Sequence, residues 1–230
     1  MTDSELQFWV GFSFIPSIGR VRFNQLETHF GKLENAWKAT TGELKQARLD
    51  DSVVKAITTW RPKINLSAEM EKLDKFGAQI YTWHDDKYPS RLKEIYDYPP
   101  ILYVKGTITP ADEWCLAVVG TRRVTIYGRQ VTEEIVTDLA RNNITIVSGL
   151  ARGVDSIAHQ ATLDAGGRTF AVLACGLDII YPSENTSLAK RIMENGAIIS
   201  EYPLGVKPRP DHFPRRNRIL SGMTMGTLVT

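Results

Sequence analysis

The sequence predicts a doubly wound, parallel α/β sheet preceded by a small all-helical domain. Two observations predict the sheet: from Leu116 onward short apolar runs alternate with amphipathic segments, and several runs end at a glycine. Strands that alternate with helices form parallel sheets, because each helix returns the chain to the same end of the sheet. A third observation predicts the helical part, since apolar residues before Gly77 recur at helical spacing.

The composition is that of an ordinary globular chain. It has 230 residues, 43% hydrophobic and 23% charged, which allows one large domain or two modest ones. No apolar run approaches the roughly 20 residues of a membrane span. The first residues lack the basic start and cleavage site of a signal peptide, so we expect a cytoplasmic protein without a membrane partner.

The two cysteines are predicted to be buried, reduced thiols. Cys115 comes just before one predicted strand and Cys175 just after another. In a parallel sheet these positions lie at opposite ends, on the order of 15 Å apart, which excludes a disulfide.

The periodicity divides the chain into three regions. Residues 1–76 are predicted to form the small helical domain. Residues 77–115 are a connector with edge strands joined to the main domain, and residues 116–230 are the main α/β domain. We expect the helical region to be an independent domain, because composition and periodicity change after Gly77.

The helical region contains a candidate hairpin. A turn at Ser17–Gly19 precedes an apolar stripe made of Val21, Phe23, Leu26 and Phe30. The pattern resembles a helix-hairpin-helix module, in which backbone amides at a glycine turn can hold a nucleic-acid phosphate, although Ser17 stands where that module usually has glycine. A packing domain is the favoured interpretation, and a DNA-contacting hairpin stays open.

Further elements follow in order. In the helical region, helices are predicted to begin at Thr41 and Asp51, and another to run from Leu66 to Phe76 and end at Gly77. Strands are predicted at 78–83, 101–104, 116–120, 144–148, 169–173, 197–200 and 226–230, and helices at 126–142, 156–165, 184–195 and 213–220. In the helix at 126–142, the side chains of Val131, Ile135 and Leu139 are predicted to face the core.

The segment from Thr145 to Leu163 has the local design of a phosphate-binding turn. A buried strand ends at Ser148 and Gly149, and Gly153 precedes a helix for which Asp155 is the predicted cap. Glycines let the backbone approach an anion, and a helix N-terminus offers free N–H groups. Arg152 lies in this loop and is therefore a candidate ligand contact.

Positive charge is concentrated in two loops, although the formal net charge is only +2. Residues 120–130 carry three arginines and no acid. Residues 206–219 carry one acid, Asp211, against five basic residues: Lys207, Arg209, Arg215, Arg216 and Arg218. Because loops at the carboxyl ends of parallel strands share one edge of the sheet, we expect both to line a single anion-binding groove.

Four side chains have alternative interpretations. Asp155 and His159 are four residues apart on one helix face, which suits a metal or acid–base pair, but a capping carboxylate and a hydrogen-bonded histidine are favoured. Phe213 belongs either to the core or to a base-stacking surface. Tyr181, with Pro182, either shapes a turn or contacts a ligand, and the turn is favoured.

Five motifs together resemble the DNA-processing protein A family, also called DprA or Smf. They are GTRR at 120–123, SGLARGVDSIAHQATL at 148–163, AVLACGLDIIYPSEN at 171–185, ISEYPLG at 199–205 and FPRRNRILSG at 213–222. The order and spacing match from about residue 80 onward. The resemblance implies an extended Rossmann-like domain, preceded by a small domain of the SAM or helix-hairpin-helix type.

The resemblance also implies a function. Members of the family are bacterial cytosolic proteins that bind single-stranded DNA without ATP, protect incoming DNA during natural transformation, and help to load the RecA recombinase. The family's DNA-contacting positions correspond to Arg122 and to the FPRRNR segment. Together with the two loops, this gives the expected DNA-binding residues: Gly120, Thr121, Arg122, Arg123, Ser148, Gly149, Arg152, Gly153, Phe213, Arg215, Arg216, Asn217 and Arg218.

The resemblance implies that the chain is a fragment. Family members continue past the position of Thr230 with another helix, further strands and often a winged-helix domain. They are usually dimeric, and the residues used for dimerisation would lie mostly in that part. We therefore expect a homodimer of the full-length protein and weak or no dimerisation of this chain.

An enzyme is the alternative class. Lysine-decarboxylase-like phosphoribohydrolases share a related Rossmann-like fold and act on nucleoside phosphates. Such an enzyme needs a glutamate base beside a PGG-type turn; Glu201 and Asp178 are the acids at strand ends here, and no PGG turn is present. Binding is therefore favoured, with no catalytic residue, metal ion or cofactor.

Overall fold

The computed structural model describes residues 3–230, which form two compact units. The first unit comprises the residues up to Asp85 together with Pro99–Ile101, and the second comprises Asp86–Tyr98 and Leu102–Thr230. The predicted helical region falls inside the first unit and the predicted main domain inside the second, while the predicted connector is divided between them. Independent folding of the helical region stays a prediction.

The first unit is built from six helices and one strand. They are α1 (Asp3–Ser13), α2 (Arg20–Phe30), α3 (Leu33–Lys38), α4 (Thr41–Gln46), α5 (Asp51–Trp60), α6 (Leu66–Phe76) and β1 (Gln79–Thr82). Aromatic rings form the centre of its core: the Trp9 and Phe23 rings stack at 5.4 Å between centroids, and Phe12 meets Trp37 edge-on at 5.0 Å. The helices predicted at Thr41, Asp51 and Leu66 are confirmed.

Two residues with positive φ, Gly77 and Ser17, form turns in this unit. Gly77 ends α6 in the left-handed conformation, with φ of 73°, and its N–H donates to the Asp74 carbonyl, which confirms the predicted C-cap. Ser17, between α1 and α2, has φ of 71°, so a serine adopts the conformation that glycine usually supplies. The predicted stripe on α2 is narrower than expected, because Val21 is 47% exposed while Phe23 and Leu26 are buried.

The second unit carries the sheet. Its strands are β2 (Ile101–Gly106), β3 (Cys115–Val119), β4 (Thr145–Ser148), β5 (Thr169–Val172), β6 (Gly196–Ser200) and β7 (Thr227–Val229), and its helices are α7 (Ile126–Arg141), α8 (Val154–Asp164), α9 (Thr186–Glu194) and α10 (His212–Gly222). The strand order is β2-β6-β5-β4-β3-β7, with β2 antiparallel to β6 and the other neighbours parallel. The predicted doubly wound, mainly parallel sheet is confirmed.

The order of the strands explains where a ligand can bind. From β3 the chain moves through β4 and β5 to β6, and it then returns by α10 to place β7 on the other side of β3. All residues of β4, β5 and β6 are buried, as strands covered on both faces require. Ligands in such sheets bind beyond the carboxyl ends of the strands.

Two local predictions in this unit differ from the structure. On α7 the buried residues are Thr132, Val136 and Ala140; of the predicted core residues, Leu139 does pack against the core, but Ile135 is 37% exposed. Thr132 can face the core because its hydroxyl donates to the Gly128 carbonyl at 2.7 Å. The residue that precedes α8 as its cap is Gly153, with φ of 81°, and not Asp155, which lies inside the first turn.

The two cysteines are buried and free, as predicted. Burial raises the pKa of each thiol to about 11, so both are neutral at physiological pH. No helix among residues 3–230 combines the length and apolar character that crossing a membrane requires.

Candidate nucleic-acid interface

Loops from three strands meet α10 beyond the carboxyl end of the sheet. They enclose a cavity of about 280 Å³, which we call the notch. The notch is lined by Arg122, Gly149, Ala151, Arg152, Ile180, Tyr181, Pro182, Ser183 and Phe213. Four of these residues belong to the predicted DNA-binding set: Arg122, Gly149, Arg152 and Phe213.

The turn after β3 presents two exposed arginines. The Thr121 hydroxyl accepts the Arg123 N–H at 3.1 Å, and the Thr121 carbonyl accepts the Val154 N–H at 3.2 Å, so the turn is fixed to the start of α8. Gly153 is required there, because a Cβ atom would lie 2.3 Å from the Thr121 carbonyl oxygen. Arg122 and Arg123 are exposed, and neither has an ion-pair partner in the described part of the chain.

The loop after β4 binds a carboxylate of its own. Asp155 accepts the N–H groups of Gly149 and Ala151 at 3.2 and 3.3 Å, and the Ser148 hydroxyl donates to the Val118 carbonyl at 2.6 Å. The sequence predicted that the backbone amides near Ser148 and Gly149 would bind a phosphate, and the Gly149 amide is one of the two bonded here. Burial raises the pKa of Asp155, and the positive charge of Arg216 opposes that rise. The N–H groups of Gly149 and Ala151 are therefore bonded within the loop to Asp155.

Arg216 is an internal residue and not a surface cation. Its side chain is only 5% exposed, and its Nη1 donates to the carbonyls of Gly149 and Val172 at 2.7 and 2.5 Å. A Cβ atom on Gly149 would lie 2.3 Å from this guanidinium, so Gly149 makes room for Arg216. Arg216 ties α10 to the ends of β4 and β5, and its side chain does not face solvent.

Two more of the predicted contact residues are held by carboxylates. Arg152 donates to both oxygens of Glu184 at 2.9 and 2.7 Å, and both side chains are exposed. Arg218 donates to both oxygens of Glu201 at 2.9 and 2.6 Å and also to Asp97 at 3.1 Å. Arg215, in contrast, is exposed and has no ion-pair partner among residues 3–230.

Aromatic rings form one wall of the notch. Phe213 is half-buried at the start of α10, and the Arg122 guanidinium lies 5.9 Å from its ring centroid. The Tyr181 ring lies 5.8 Å from the Phe213 ring at an angle of 57°. Phe213 is thus at the surface of the site and not inside the core. The sequence favoured a turn over a ligand contact for Tyr181; an aromatic residue in a loop after a strand was the signal for its place here.

Each titratable residue that the sequence offered for metal binding or catalysis has a hydrogen-bond partner within the fold. His159 is fully buried, its Nδ1 lies 2.7 Å from the Thr169 hydroxyl, and burial lowers its pKa to about 3. The described contacts of His159 are separate from those of Asp155. This agrees with the interpretation of His159 as a hydrogen-bonded histidine and not as a member of an acid–base pair. Asp178 accepts the Gly205 N–H at 2.9 Å and Glu201 binds Arg218, so the two acids at the strand ends have internal partners.

Comparison with known proteins identifies the family. The model of the family described as DNA recombination-mediator protein A matches residues 79–230. The chain is 38% identical over 234 residues to protein Smf of Synechocystis, covering all of this chain and 59% of that protein. The chain spans about half the length of the curated relatives that it matches.

Two solved structures resemble the chain. The X-ray structure of DNA processing protein A from Streptococcus pneumoniae has a TM-score of 0.82 at 30% identity, over 97% of this chain and 77% of that one. DNA processing protein A from Helicobacter pylori, reported for its single-stranded DNA binding mode, has a TM-score of 0.59 at 34% identity, over 66% of this chain and 68% of that one. The chain belongs to the DNA recombination-mediator protein A family.

Proposed function

We propose that this chain binds single-stranded DNA at the notch and over the cations beside it. The observation that carries the proposal is the contact between Arg122, an arginine without an ion-pair partner among residues 3–230, and the partly exposed ring of Phe213. Single-strand binders combine cations that follow the phosphates with aromatic rings on which bases stack. Here both groups lie at the edge of the sheet where ligands bind.

The cations divide into two groups under this proposal. Arg122, Arg123 and Arg215 contact phosphates, because no described carboxylate neutralises them. Arg152 and Arg218 hold the loops through Glu184 and Glu201, and Arg216 supports the site from inside. Asn217, whose Oδ1 accepts the Arg216 Nε–H at 3.2 Å, positions the basic segment. This division narrows the predicted set of contact residues.

The biological role that we propose follows from the family. The H. pylori relative supports single-strand binding, since its structure was reported for that activity. We propose that the full-length protein acts in the cytoplasm, in natural transformation and recombination, where it protects incoming DNA, assists RecA loading and forms a homodimer. An assay of RecA filament nucleation on protein-coated single strands tests the RecA step, and sedimentation of the full-length protein tests the dimer.

We also propose that the chain is not an enzyme. Glu201 and Asp178, the acids that a phosphoribohydrolase would need as a base, are engaged by Arg218 and by the Gly205 N–H. Incubating the pure protein with nucleoside monophosphates should release no free base. Release of base that disappears in a Glu201→Gln variant would favour the enzyme instead.

The experiment that tests binding is a salt titration with a single strand and with its duplex. Affinity for the single strand should fall with salt by a log–log slope of about −0.7 per phosphate contact and should exceed that for the duplex. Arg122→Ala and Arg215→Ala should each weaken binding evenly across sequences. Arg141→Ala, at the far end of α7, is the matched control, because it removes the same charge outside the site.

Two results would contradict the proposal. If Arg122→Ala and Arg215→Ala both bind like the parent protein at low and high salt, the DNA site lies elsewhere. If Arg141→Ala weakens binding as much as Arg122→Ala and Arg215→Ala do, the loss of affinity comes from the change in net charge and not from the loss of a contact at the site.

A further inference from the structure

A second cavity lies near the amino ends of β3 and β5, at the edge of the sheet opposite the notch. We call it the basal cavity. Its volume is about 350 Å³, and it lies between the segments 86–91 and 108–113, with Phe170 and Met223 at its inner end. Protein interiors contain few voids larger than a water molecule, and a cavity of this size is within the range of small-molecule sites. The proposed function leaves it unused.

The inner wall of the basal cavity is apolar and aromatic. Tyr88, Phe170 and Met223 line it, and they are 2%, 1% and 4% exposed. Two rings and a thioether are favourable contacts for a further aromatic ring, and apolar cavities bind such rings readily. Asp112 also lines the cavity, but both of its oxygens accept hydrogen bonds from Arg168. The wall therefore suits the apolar part of a ligand.

The rim of the basal cavity carries charges of both signs. Arg91 and Glu113 line the cavity and are exposed, and neither has an ion-pair partner among residues 3–230. Burial raises the pKa of the Cys115 thiol to about 11; Arg91 opposes that rise, whereas Asp112 and Glu113 add to it, so both rim charges lie near the start of β3. A cation and a carboxylate that are close without pairing can each bind the opposite charge of one ligand.

We propose that the basal cavity binds a free amino acid with an aromatic side chain. The side chain contacts the apolar wall, Arg91 binds the carboxylate, and Glu113 binds the ammonium group. A ligand with a single charge fits less well, because Asp86 and Lys87 add one further charge of each sign and keep the rim balanced. The proposal is independent of the proposed function, since the notch lies at the other edge of the sheet.

The test titrates four small molecules that share one ring but differ in charge. They are L-phenylalanine, phenylacetate, phenethylamine and benzyl alcohol, and the readout is the NMR shift of the Ile108 and Met223 methyl groups, which line the cavity. L-phenylalanine should bind with a Kd of about 1 mM or lower, the range for a ligand of its size. The other three lack one charge or both and should bind at least about tenfold more weakly.

Substitutions assign the contacts. Arg91→Gln should remove the advantage of L-phenylalanine over phenethylamine, and Glu113→Gln should remove its advantage over phenylacetate, because each variant lacks one charged contact. Ile108→Trp fills the cavity and should weaken all four ligands, and Ile108→Phe is the milder substitution if tryptophan destabilises the fold. Arg123→Gln is the matched control, since it removes an exposed arginine at the other edge of the sheet, and it should leave L-phenylalanine binding unchanged.

Three results would overturn the proposal. If L-phenylalanine shifts neither methyl group up to about 10 mM, tenfold above the expected Kd, the cavity does not bind it. If benzyl alcohol binds as tightly as L-phenylalanine, the cavity takes a ring alone and the rim charges do not contribute. If Ile108→Trp and Ile108→Phe both bind L-phenylalanine like the parent protein, the ligand lies elsewhere. The titrations contain no DNA, so the proposed function stands or falls separately.

Discussion

The salt dependence of DNA binding should distinguish arginines that have a carboxylate partner from arginines that have none. Substituting an arginine without such a partner should change the salt slope, whereas removing an arginine together with its carboxylate partner should not. Removing Arg122, which has no such partner among residues 3–230, should reduce the log–log salt slope on single strands by about 0.7, the value of one phosphate contact. Over a fourfold increase in salt, from about 50 to 200 mM, that difference changes the ratio of parent to variant affinity by about 2.6-fold. A fluorescence anisotropy titration at three or four salt concentrations resolves such a change.

Arg152 is the informative comparison. It lies in the notch as Arg122 does, but its charge is matched by Glu184 at 2.7 Å. Arg152→Ala alone would leave Glu184 unpaired beside the DNA, so the suitable variant is the charge-neutral pair Arg152→Ala and Glu184→Ala. That double variant should keep the parent salt slope. The reasoning is refuted if the double variant loses as much slope as Arg122→Ala, or if Arg122→Ala keeps the parent slope.

Three further outcomes follow from the contacts of the site. Glu184→Gln removes the carboxylate that neutralises Arg152, so single-strand affinity should rise and the salt slope should steepen by about 0.7; an unchanged slope would show that Arg152 cannot reach a phosphate. Arg216→Met leaves the buried carbonyls of Gly149 and Val172 without a donor, so urea denaturation should show a loss of at least about 1–3 kcal/mol, and a loss below that range would contradict the internal role. Burial lowers the pKa of His159 to about 3, so the unfolded state binds more protons at acid pH and the free energy of unfolding should fall as pH drops from about 6.5 toward 3; His159→Gln should flatten that dependence, and an equal slope in both proteins would refute it.

The sequence predicted the sheet well because its signals are local. Buried strands are continuous apolar runs, and the glycine turns after β3 and β4 are dictated by close approaches that only glycine permits, as at Gly120 and Gly149. The short helix α3 was missed, because six residues with two buried side chains make no recognisable stripe. The face of α7 was misjudged because Thr132 satisfies its hydroxyl within the helix and so packs as an apolar residue would.

The sequence predicted which residues make up the site, but it did not predict which of the arginines are ion-paired, buried or exposed. The partners of Arg152 and Arg218 are Glu184 and Glu201, 32 and 17 residues away in the sequence, and no local pattern pairs them. In the run Arg215–Arg216, successive side chains on a helix point about 100° apart, so one faces solvent and the other the interior. Which of the two is buried depends on the carbonyls of β4 and β5 and could only be read from the structure.

Photo-crosslinking of a single strand to the protein, with the modified residues identified by mass spectrometry, asks directly where the DNA lies. With an oligodeoxynucleotide that carries a photoreactive thymine analogue, crosslinks should fall on Tyr181 and Phe213, and an excess of unlabelled single strand should abolish them while an equal excess of duplex should not. Crosslinks confined to the turn between α1 and α2, or to residues at the amino ends of the strands such as Trp114, would contradict a DNA site at the carboxyl edge of the sheet.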